Sequence, residues 1–244
     1  MPERVVTSPL LEVRDLETGY GRTRVLRGVS MTVEAGARIG IIGPNGHGKT
    51  TLMRAISGLL RPWKGDIRLA YASIAGATPA AIVGAGLVHV PQGNALFPDM
   101  TVEENLRLGA YQRRLRAGHR ETMEEVFALF PRLAERRRQL CRTLSGGERQ
   151  MVSIGVGLMA KPKLLMLDEP TLGLSPKLKE ELSQAIVAIS AAGMPLLLVE
   201  QDVKFLLALT TRFYLLHEGR MEREFAAGDA LDNREIMDMY FGLA

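Results

Sequence analysis

The segment from Gly43 to Thr50 has the residue types and spacing of a phosphate-binding loop. It reads Gly-Pro-Asn-Gly-His-Gly-Lys-Thr, and its glycines let the backbone curl so that N–H groups face phosphate oxygens. Lys49 is expected to reach the β- and γ-phosphates, and the Thr50 hydroxyl to ligate Mg²⁺. A chance glycine-rich turn is the alternative, but a position between an apolar strand and a helix argues against it. The segment predicts a nucleotide site.

A second segment places two carboxylates at the end of a buried strand. The apolar run that follows Lys163 delivers Asp168, and Glu169 comes directly after it. A carboxylate is expensive to bury unless a cation awaits it, so Asp168 is predicted to face a phosphate-bound Mg²⁺. Glu169 is predicted to act on an attacking water as a general base. Without the phosphate loop, a polar turn after a core strand would be the preferred interpretation.

A third segment, Leu144 to Gln150, reads Leu-Ser-Gly-Gly-Glu-Arg-Gln and begins a helix predicted to run to about Ala160. Ser145, Gly146 and Gly147 offer a hydroxyl and close backbone approach at a helix N-terminus, which attracts anions. Alone, this segment would be a capped helix start. A second helix N-terminus suited to phosphate binding in one chain is explained if two chains share a nucleotide.

The elements that position these segments alternate between strands and helices. Apolar runs predict strands at 10–15, 25–33, 37–43, 87–91, 163–168 and 195–200, and a hairpin at 213–225 that turns at Glu218-Gly219. Helical stretches lie between them, including 48–57. We therefore predict an α/β fold with a mainly parallel sheet and an N-terminal antiparallel β subdomain.

Between residues 94 and 160 the strand-like runs give way to charged helical periodicity, as in 102–116 and 121–130. We interpret this stretch as an inserted α-helical lobe. The predicted domains are therefore an α/β core of residues 1–93 and 161–244 and a helical lobe of residues 94–160.

Composition excludes several classes of protein. The 244 residues are 46% hydrophobic and 24% charged, which is typical of a globular chain, and one cysteine, Cys141, cannot form an internal disulfide. No apolar run is long enough to span a bilayer and no secretion signal is evident, so a cytoplasmic location is expected.

Nine arginines between 113 and 142 form a basic cluster. A solvated helical face is one interpretation, and contact with anionic headgroups or a partner is another. Nucleic acid is disfavoured because no aromatic residues interleave the cluster.

The three segments resemble, in order and spacing, the Walker A, signature and Walker B motifs of ATP-binding-cassette (ABC) transporter ATPases, and the resemblance covers nearly the whole chain. Gln92 matches the family's Q-loop, Tyr20 the aromatic residue that stacks on adenine, and residues 173–176 the D-loop.

The resemblance implies a P-loop ABC ATPase core with ATP and Mg²⁺ as cofactors, and a head-to-tail dimer that sandwiches two ATP molecules. Catalysis falls to Glu169, Gln201 and Lys49, with Mg²⁺ held by Thr50, Gln92 and Asp168. The ATP-binding residues implied in one subunit are Tyr20, Gly43, Asn45, Gly46, His47, Gly48, Lys49, Thr50, Thr51 and Gln92. The opposite subunit would contribute Ser145, Gly146, Gly147 and Glu148, with Gly173, Leu174 and Ser175 in the D-loop.

The chain departs from the family at the switch position, where Gln201 replaces the usual histidine. A glutamine amide can still donate a hydrogen bond to the γ-phosphate, but without a positive charge. The exchange is expected to weaken this contact by about 1 to 2 kcal/mol, which is roughly five- to thirtyfold in rate.

The Val199-Glu200-Gln201 sequence and a terminal Met239-Tyr-Phe-Gly resemble one of the two ATPase subunits of branched-chain amino-acid importers. This resemblance implies a peripheral protein on the inner face of the membrane, with permease subunits, a second ATPase subunit in a hetero- or homodimer, and indirectly a solute-binding protein as partners. The alternatives are a urea or short-chain amide importer, a soluble non-transport ABC ATPase and an ATP-sensing regulator.

Overall fold

The computed structural model describes residues 9–93 and 95–226. Its strands are β1 Leu11–Tyr20, β2 Thr23–Val33, β3 Arg38–Ile42, β4 Lys64–Leu69, β5 Ala72–Ser73, β6 Leu87–Val90, β7 Leu164–Asp168, β8 Leu196–Val199, β9 Arg212–His217 and β10 Arg220–Ala226. Its α-helices are α1 Lys49–Ile56, α2 Pro79–Ala85, α3 Val102–Gly109, α4 His119–Leu129, α5 Pro131–Glu135, α6 Gly146–Met159, α7 Pro176–Ala191 and α8 Val203–Leu209. No helix among these residues is long and apolar enough to cross a membrane.

The first strands form a four-stranded antiparallel sheet in the order β2-β1-β4-β5. In β1, one face carries buried apolar side chains such as Leu11 and Val13, because alternate residues of a strand face opposite sides. The predicted antiparallel β subdomain is confirmed.

The second sheet has six strands in the order β10-β9-β3-β8-β7-β6. Strands β9, β3, β8, β7 and β6 are parallel, and β10 pairs antiparallel with β9 through a turn at Glu218-Gly219, as the sequence predicts. Strand β7 is buried on both faces: Leu165 and Leu167 pack into one apolar cluster, and Leu164 and Met166 into the other. Such continuous apolar runs are typical of parallel strands covered on both sides.

Between β6 and β7, the described residues contain the four helices α3 to α6 and no strand. Helices α3 and α6 pack closely, since a Cβ added at Gly109 would lie 2.2 Å from the carbonyl oxygen of Val156. The predicted lobe boundaries at residues 94 and 160 stay predictions.

The helix predicted over 102–116 is wrong in its second half. Helix α3 ends at Gly109, and a 3₁₀ turn at Arg113–Leu115 follows. Glycine is a poor helix residue, and at this position its lack of a side chain admits the α6 backbone. The turn then buries Leu115, which a continuing helix of alternating arginines would not achieve.

Candidate active site

The predicted site residues converge because their strands are neighbours in one parallel sheet. The phosphate loop follows β3, Gln201 lies just after β8, Asp168 ends β7, and Gln92 lies just after β6. In the order β3-β8-β7-β6, the carboxyl ends of these strands lie at the same edge. Open α/β sheets bind their ligands at that edge.

The phosphate loop holds a backbone conformation that favours glycine. Gly46 has φ +82° and Gly48 has φ +108°, both in the left-handed region. A Cβ at Gly43 would lie 2.1 Å from the carbonyl oxygen of Leu216. Gly48 is the N-cap of α1, and no side chain in the described part of the chain caps this helix, which leaves the first-turn N–H groups for an anion.

Lys49 is buried and folds back on the loop. Its Nζ donates hydrogen bonds to the carbonyl oxygens of Gly43, at 2.6 Å, and Pro44, at 3.1 Å. Burial lowers its pKa, and the negative charges of Glu169 and Asp168 oppose that shift. The ammonium group is therefore held at the mouth of the loop with both carboxylates nearby.

Asp168 has the environment of a cation ligand. It is 1% exposed, and both carboxylate oxygens are buried without a hydrogen-bond partner among the described residues. Burial raises its pKa to about 6, and the neighbouring Thr50 side chain and the Lys49 charge act in the opposite direction. Because an unpaired buried carboxylate is costly, these oxygens fit a divalent cation bound between Asp168, Thr50 and phosphate oxygens. No cluster of three acidic, histidine or cysteine side chains exists among the described residues to hold a metal without a nucleotide.

Glu169 lies between two glutamine amides. Gln92 Nε2 donates to one carboxylate oxygen at 3.2 Å, and Gln201 Nε2 donates to the other at 2.8 Å. Glu169 has φ +47°, an uncommon value for a residue with a side chain, and its N–H donates to Val199 O at 2.8 Å. The carboxylate is thus held at the sheet edge by the Q-loop and the switch position together.

Sequence reasoning missed Glu200 as part of this arrangement. The side chain is 2% exposed, and its oxygens accept N–H bonds from Thr171, at 2.8 Å, and Gln201, at 3.2 Å. Burial raises its pKa, while these hydrogen bonds lower it. Glu200 ties the turn after Glu169 to the turn that carries Gln201. An acidic residue directly after an apolar strand was its only sequence signal.

His47 joins the phosphate loop to the β9–β10 turn. Its Nδ1 accepts the N–H of Glu218 at 3.0 Å, its carbonyl oxygen accepts the N–H of Gly219 at 3.1 Å, and its ring lies 4.7 Å from the ring of His217. Burial lowers the pKa of His47, as does the neighbouring His217. These contacts fix His47, and with it this part of the phosphate loop, against the β9–β10 turn.

Tyr20 ends β1 with its ring 45% exposed, and its hydroxyl accepts a hydrogen bond from Arg54 at 3.2 Å. The exposed ring is available for stacking on a base. Asn45 is exposed and Thr51 is buried in the first turn of α1, and their contacts with ATP stay predictions.

The signature segment forms a capped helix start. Ser145 Oγ accepts the N–H of Glu148 at 3.3 Å, and Glu148 accepts the N–H of Ser145 at 2.8 Å. Glu148 is buried and also pairs with Arg136 at 3.0 Å, so its carboxylate caps the helix within the chain, and its contact with ATP across a dimer stays a prediction. Ser145 is exposed, and no atom of the described residues lies within 4 Å of a Cβ added at Gly146.

The predicted D-loop adjoins this helix start. A Cβ at Gly147 would lie 3.2 Å from Leu174 Cδ2 and 2.4 Å from Leu178 Cδ1. Gly173 and Ser175 are exposed, and Ser175 caps α7. The signature and the turn after Glu169 therefore form one continuous surface.

Comparison with known proteins agrees with this geometry. The family model described as ABC transporter matches residues 26–172. The chain is 37% identical, over 96% of its length and 100% of the relative's, to a high-affinity branched-chain amino acid transport ATP-binding protein, BraG, of Pseudomonas aeruginosa. It is 32% identical, over 96% of its length and 99% of the relative's, to the probable LivF protein of Archaeoglobus fulgidus, which carries a similar description. The ADP conformation of MJ1267, an ATP-binding cassette of an ABC transporter, superposes with a TM-score of 0.85 at 27% identity, over 97% of this chain and 100% of that one.

The chain belongs to the ABC transporter family. It has the ABC ATPase fold and is an ATP-binding transport ATPase, as the strand-end site and the family match together establish.

Proposed function

We propose that this ATPase energises import of branched-chain amino acids. The observation that carries the proposal is the end-to-end similarity to two transport ATPases described for that solute class. The Val199-Glu200-Gln201 sequence points to the same subunit type, and its Gln201 contacts the proposed catalytic carboxylate. The chain itself is proposed to act on the cytoplasmic face of the membrane and to receive solute indirectly, through a solute-binding protein and permeases.

In the proposed mechanism, first-turn N–H groups of α1 and Lys49 would hold the phosphates, and Thr50, Asp168 and the side-chain oxygen of Gln92 would hold Mg²⁺. When bound, Mg²⁺ offsets negative charge on the transferring phosphoryl group. Glu169 orients and deprotonates the attacking water, in line with the γ-phosphate. The amide N–H groups of Gln92 and Gln201 hold the Glu169 carboxylate in position until a bound γ-phosphate competes for the same N–H groups.

The open signature surface supports a nucleotide shared between two subunits. Ser145 and Gly146 are exposed, and the neighbouring Gly147 lies close to Leu174, in the turn that also carries Leu172. Leu172 is 58% exposed, and an exposed leucine in such a turn is suited to a contact that forms when ATP is bound. We propose a dimer, with a second, different ABC ATPase or with another copy of this chain.

An apolar groove between the sheet edge and the helical lobe is the proposed permease-docking site. Its cavity volume is about 260 Å³, and it is lined by Pro91 next to Gln92 and by Leu96, Leu108, Tyr111 and Val156. Tyr111 is 53% exposed and Leu108 is 39% exposed. A permease segment would cover this apolar lining next to Gln92, the glutamine that contacts Glu169.

Solute uptake in cells deleted for this gene tests the proposal. Cells complemented with the wild type are expected to regain uptake of labelled leucine, isoleucine and valine, and cells with Glu169→Gln are not. The Glu169→Gln variant keeps the fold and phosphate loop, so it controls for expression. Restored uptake of urea or acetamide alone would reassign the solute, and no restored uptake of any solute would remove the importer proposal.

A further inference from the structure

The basic cluster divides into two groups in the structure. Four of the cluster's five arginines after residue 130 have acidic partners within the chain: Arg132 pairs with Glu181, Arg136 with Glu148 and Arg137 with Glu103, each at 3.0 Å, and Arg142 lies 3.5 Å from Asp99. The fifth, Arg138, is exposed and forms no ion pair with a described residue. Most of the positive charge in this group is therefore compensated within the lobe.

The other group lies in residues 110–120, which we call the basic loop. It contains Arg113, Arg114, Arg116 and Arg120 and no acidic residue. All four are exposed, and none forms an ion pair with a described residue. Arg114 donates to the amide oxygen of Gln112 at 2.9 Å, and the acidic residues that follow are Glu121, Glu124 and Glu125 in α4. Arg120 lines a pocket with Glu103 and Glu124, whereas no acidic residue lies in the basic loop itself. Four positive charges in eleven residues form a surface patch that attracts anions.

The basic loop is an ordered surface. The 3₁₀ turn at Arg113–Leu115 buries Leu115 and leaves its two arginines outside, and Leu115 N–H donates to Gln112 O at 2.9 Å. His119 Nδ1 lies 2.7 Å from the carbonyl oxygen of Arg116, which closes the second half of the loop. The arginines are therefore presented together from one anchored segment, which lowers the entropy lost when they bind an extended charged surface.

The loop begins at the rim of the apolar groove. Leu108 and Tyr111 line that groove and are exposed, and Arg113 follows two residues later. A half-exposed tyrosine next to arginines without ion-pair partners among the described residues is suited to a membrane interface. There the ring lies at the level of the headgroups and the guanidinium groups contact their phosphates. A folded acidic protein would match the charge but would not account for the exposed aromatic residue beside it.

We propose that the basic loop binds anionic phospholipid headgroups directly, so that the ATPase has a lipid contact in addition to its permease contact. The arginines would donate hydrogen bonds to headgroup phosphates and Tyr111 would lie against the interface. The contact would favour the orientation in which the groove faces the bilayer.

Vesicle flotation with the purified full chain tests this proposal without any permease, so its failure would leave the docking proposal untouched. The wild type is expected to float with phosphatidylcholine vesicles that contain phosphatidylglycerol, and to stay behind with pure phosphatidylcholine. Binding is expected to weaken as salt screens the charges. Replacing Arg113, Arg114, Arg116 and Arg120 by glutamine should weaken it by about two orders of magnitude or more, since each basic side chain near an anionic surface contributes about fivefold.

The matched control removes the same charge elsewhere. Arg27, Lys161, Lys163 and Lys204 are exposed and scattered over the surface, and their replacement by glutamine should leave flotation within about twofold of the wild type. Unchanged ATPase activity verifies that both variants are folded. Equal loss in the control, undiminished binding by the basic-loop variant, or tighter binding of a single-stranded oligonucleotide than of the vesicles would each overturn the proposal.

Discussion

At the scale of single residues, Asp168 shows a conflict between function and stability. Its carboxylate is buried, neither oxygen has a hydrogen-bond partner among the residues that the structure describes, and burial raises its pKa to about 6 from an ordinary value of 3.8. At pH 7 the ionised form is therefore destabilised by about 2 to 3 kcal/mol in the nucleotide-free chain. We expect Asp168→Asn to unfold at a higher temperature than the wild type without nucleotide, and to lose Mg²⁺-dependent hydrolysis.

Differential scanning calorimetry with and without Mg²⁺-ATP checks this prediction. The wild type should gain more stability from Mg²⁺-ATP than Asp168→Asn does, because only the carboxylate ligates the cation strongly. A variant less stable than the wild type without nucleotide would show that Asp168 already has a stabilising partner. Asp66→Asn is the control, since Asp66 accepts bonds from Arg68 and Ser73 and its loss should destabilise.

Glu200 is predicted to be a positioning residue. Its two oxygens hold Thr171 and Gln201, and a glutamine in its place offers one oxygen and an N–H group that opposes a backbone donor. Loss of one hydrogen bond to a charged acceptor is worth about 1.5 to 3 kcal/mol. We expect Glu200→Gln to lower kcat roughly ten- to hundredfold with little change in KM for ATP, since the phosphate loop is not touched.

Steady-state kinetics of Glu200→Gln beside Glu125→Gln tests this expectation, since Glu125 is exposed on α4 and should tolerate the change. A rise in KM with kcat preserved would place Glu200 in nucleotide binding instead. Equal kinetics for the wild type and Glu200→Gln would show that the positions of Glu169 and Gln201 do not depend on the hydrogen bonds to Glu200.

At the scale of elements, β6 contains a histidine that makes stability depend on pH. His89 Nε2 is buried and has no hydrogen-bond partner in residues 9–93 and 95–226, its Nδ1 lies 3.0 Å from Ser57 Oγ, and burial lowers its pKa to about 4. Above pH 6.5 the ring is neutral in both states and contributes no pH dependence. As the pH falls below 6.5, the unfolded chain binds a proton first, so stability should decline by about 3 kcal/mol and level off near pH 4.

Urea unfolding of His89→Gln at several pH values checks this decline. The variant should lose less stability than the wild type between pH 6.5 and pH 4.5, while His119→Gln, altered at the partly exposed start of α4, should follow the wild type. Parallel curves for His89→Gln and the wild type would assign the acid sensitivity to other groups.

The elements also show what sequence reasoning could and could not reach. Glycine spacing and apolar runs predict the phosphate loop, β7 and the β9–β10 hairpin because local backbone requirements specify them. The end of α3 was misplaced because it depends on how closely α6 approaches Gly109. Three features depend on strand order and on contacts between distant segments, which the periodicity of a sequence does not encode. They are the position of Glu200, the contact of His47 with the hairpin turn and the hydrogen bonds of Glu148 within the chain. The Met239 segment lies outside the described residues.

At the scale of the whole molecule, the sheet edge contains only part of the machinery that the resemblance implies. Walker A, Asp168 and Glu169 lie along one edge, while Ser145 and Gly146 lie on the surface that continues into the turn at Leu172. One chain therefore presents two complementary surfaces, as expected of a subunit that works in pairs.

An arginine at Leu172 should break this pairing without harming the fold. The side chain is 58% exposed, so Leu172→Arg should change the stability of the isolated chain little. A charge buried without a partner in a dimer interface would oppose association by several kcal/mol. Placed in a Glu169→Gln chain, which binds ATP but is expected not to hydrolyse it, the substitution should abolish the ATP-dependent dimer or the ATP-dependent capture of a second ABC ATPase. Light scattering and affinity capture from solubilised membranes, each with and without ATP, measure the two forms of association.

Leu108→Arg is the matched control, because that exposed leucine lines the groove proposed for the permease. It should weaken capture of the permease and leave ATP-dependent pairing intact, whereas pairing that survives Leu172→Arg would mean that the dimer forms through another surface.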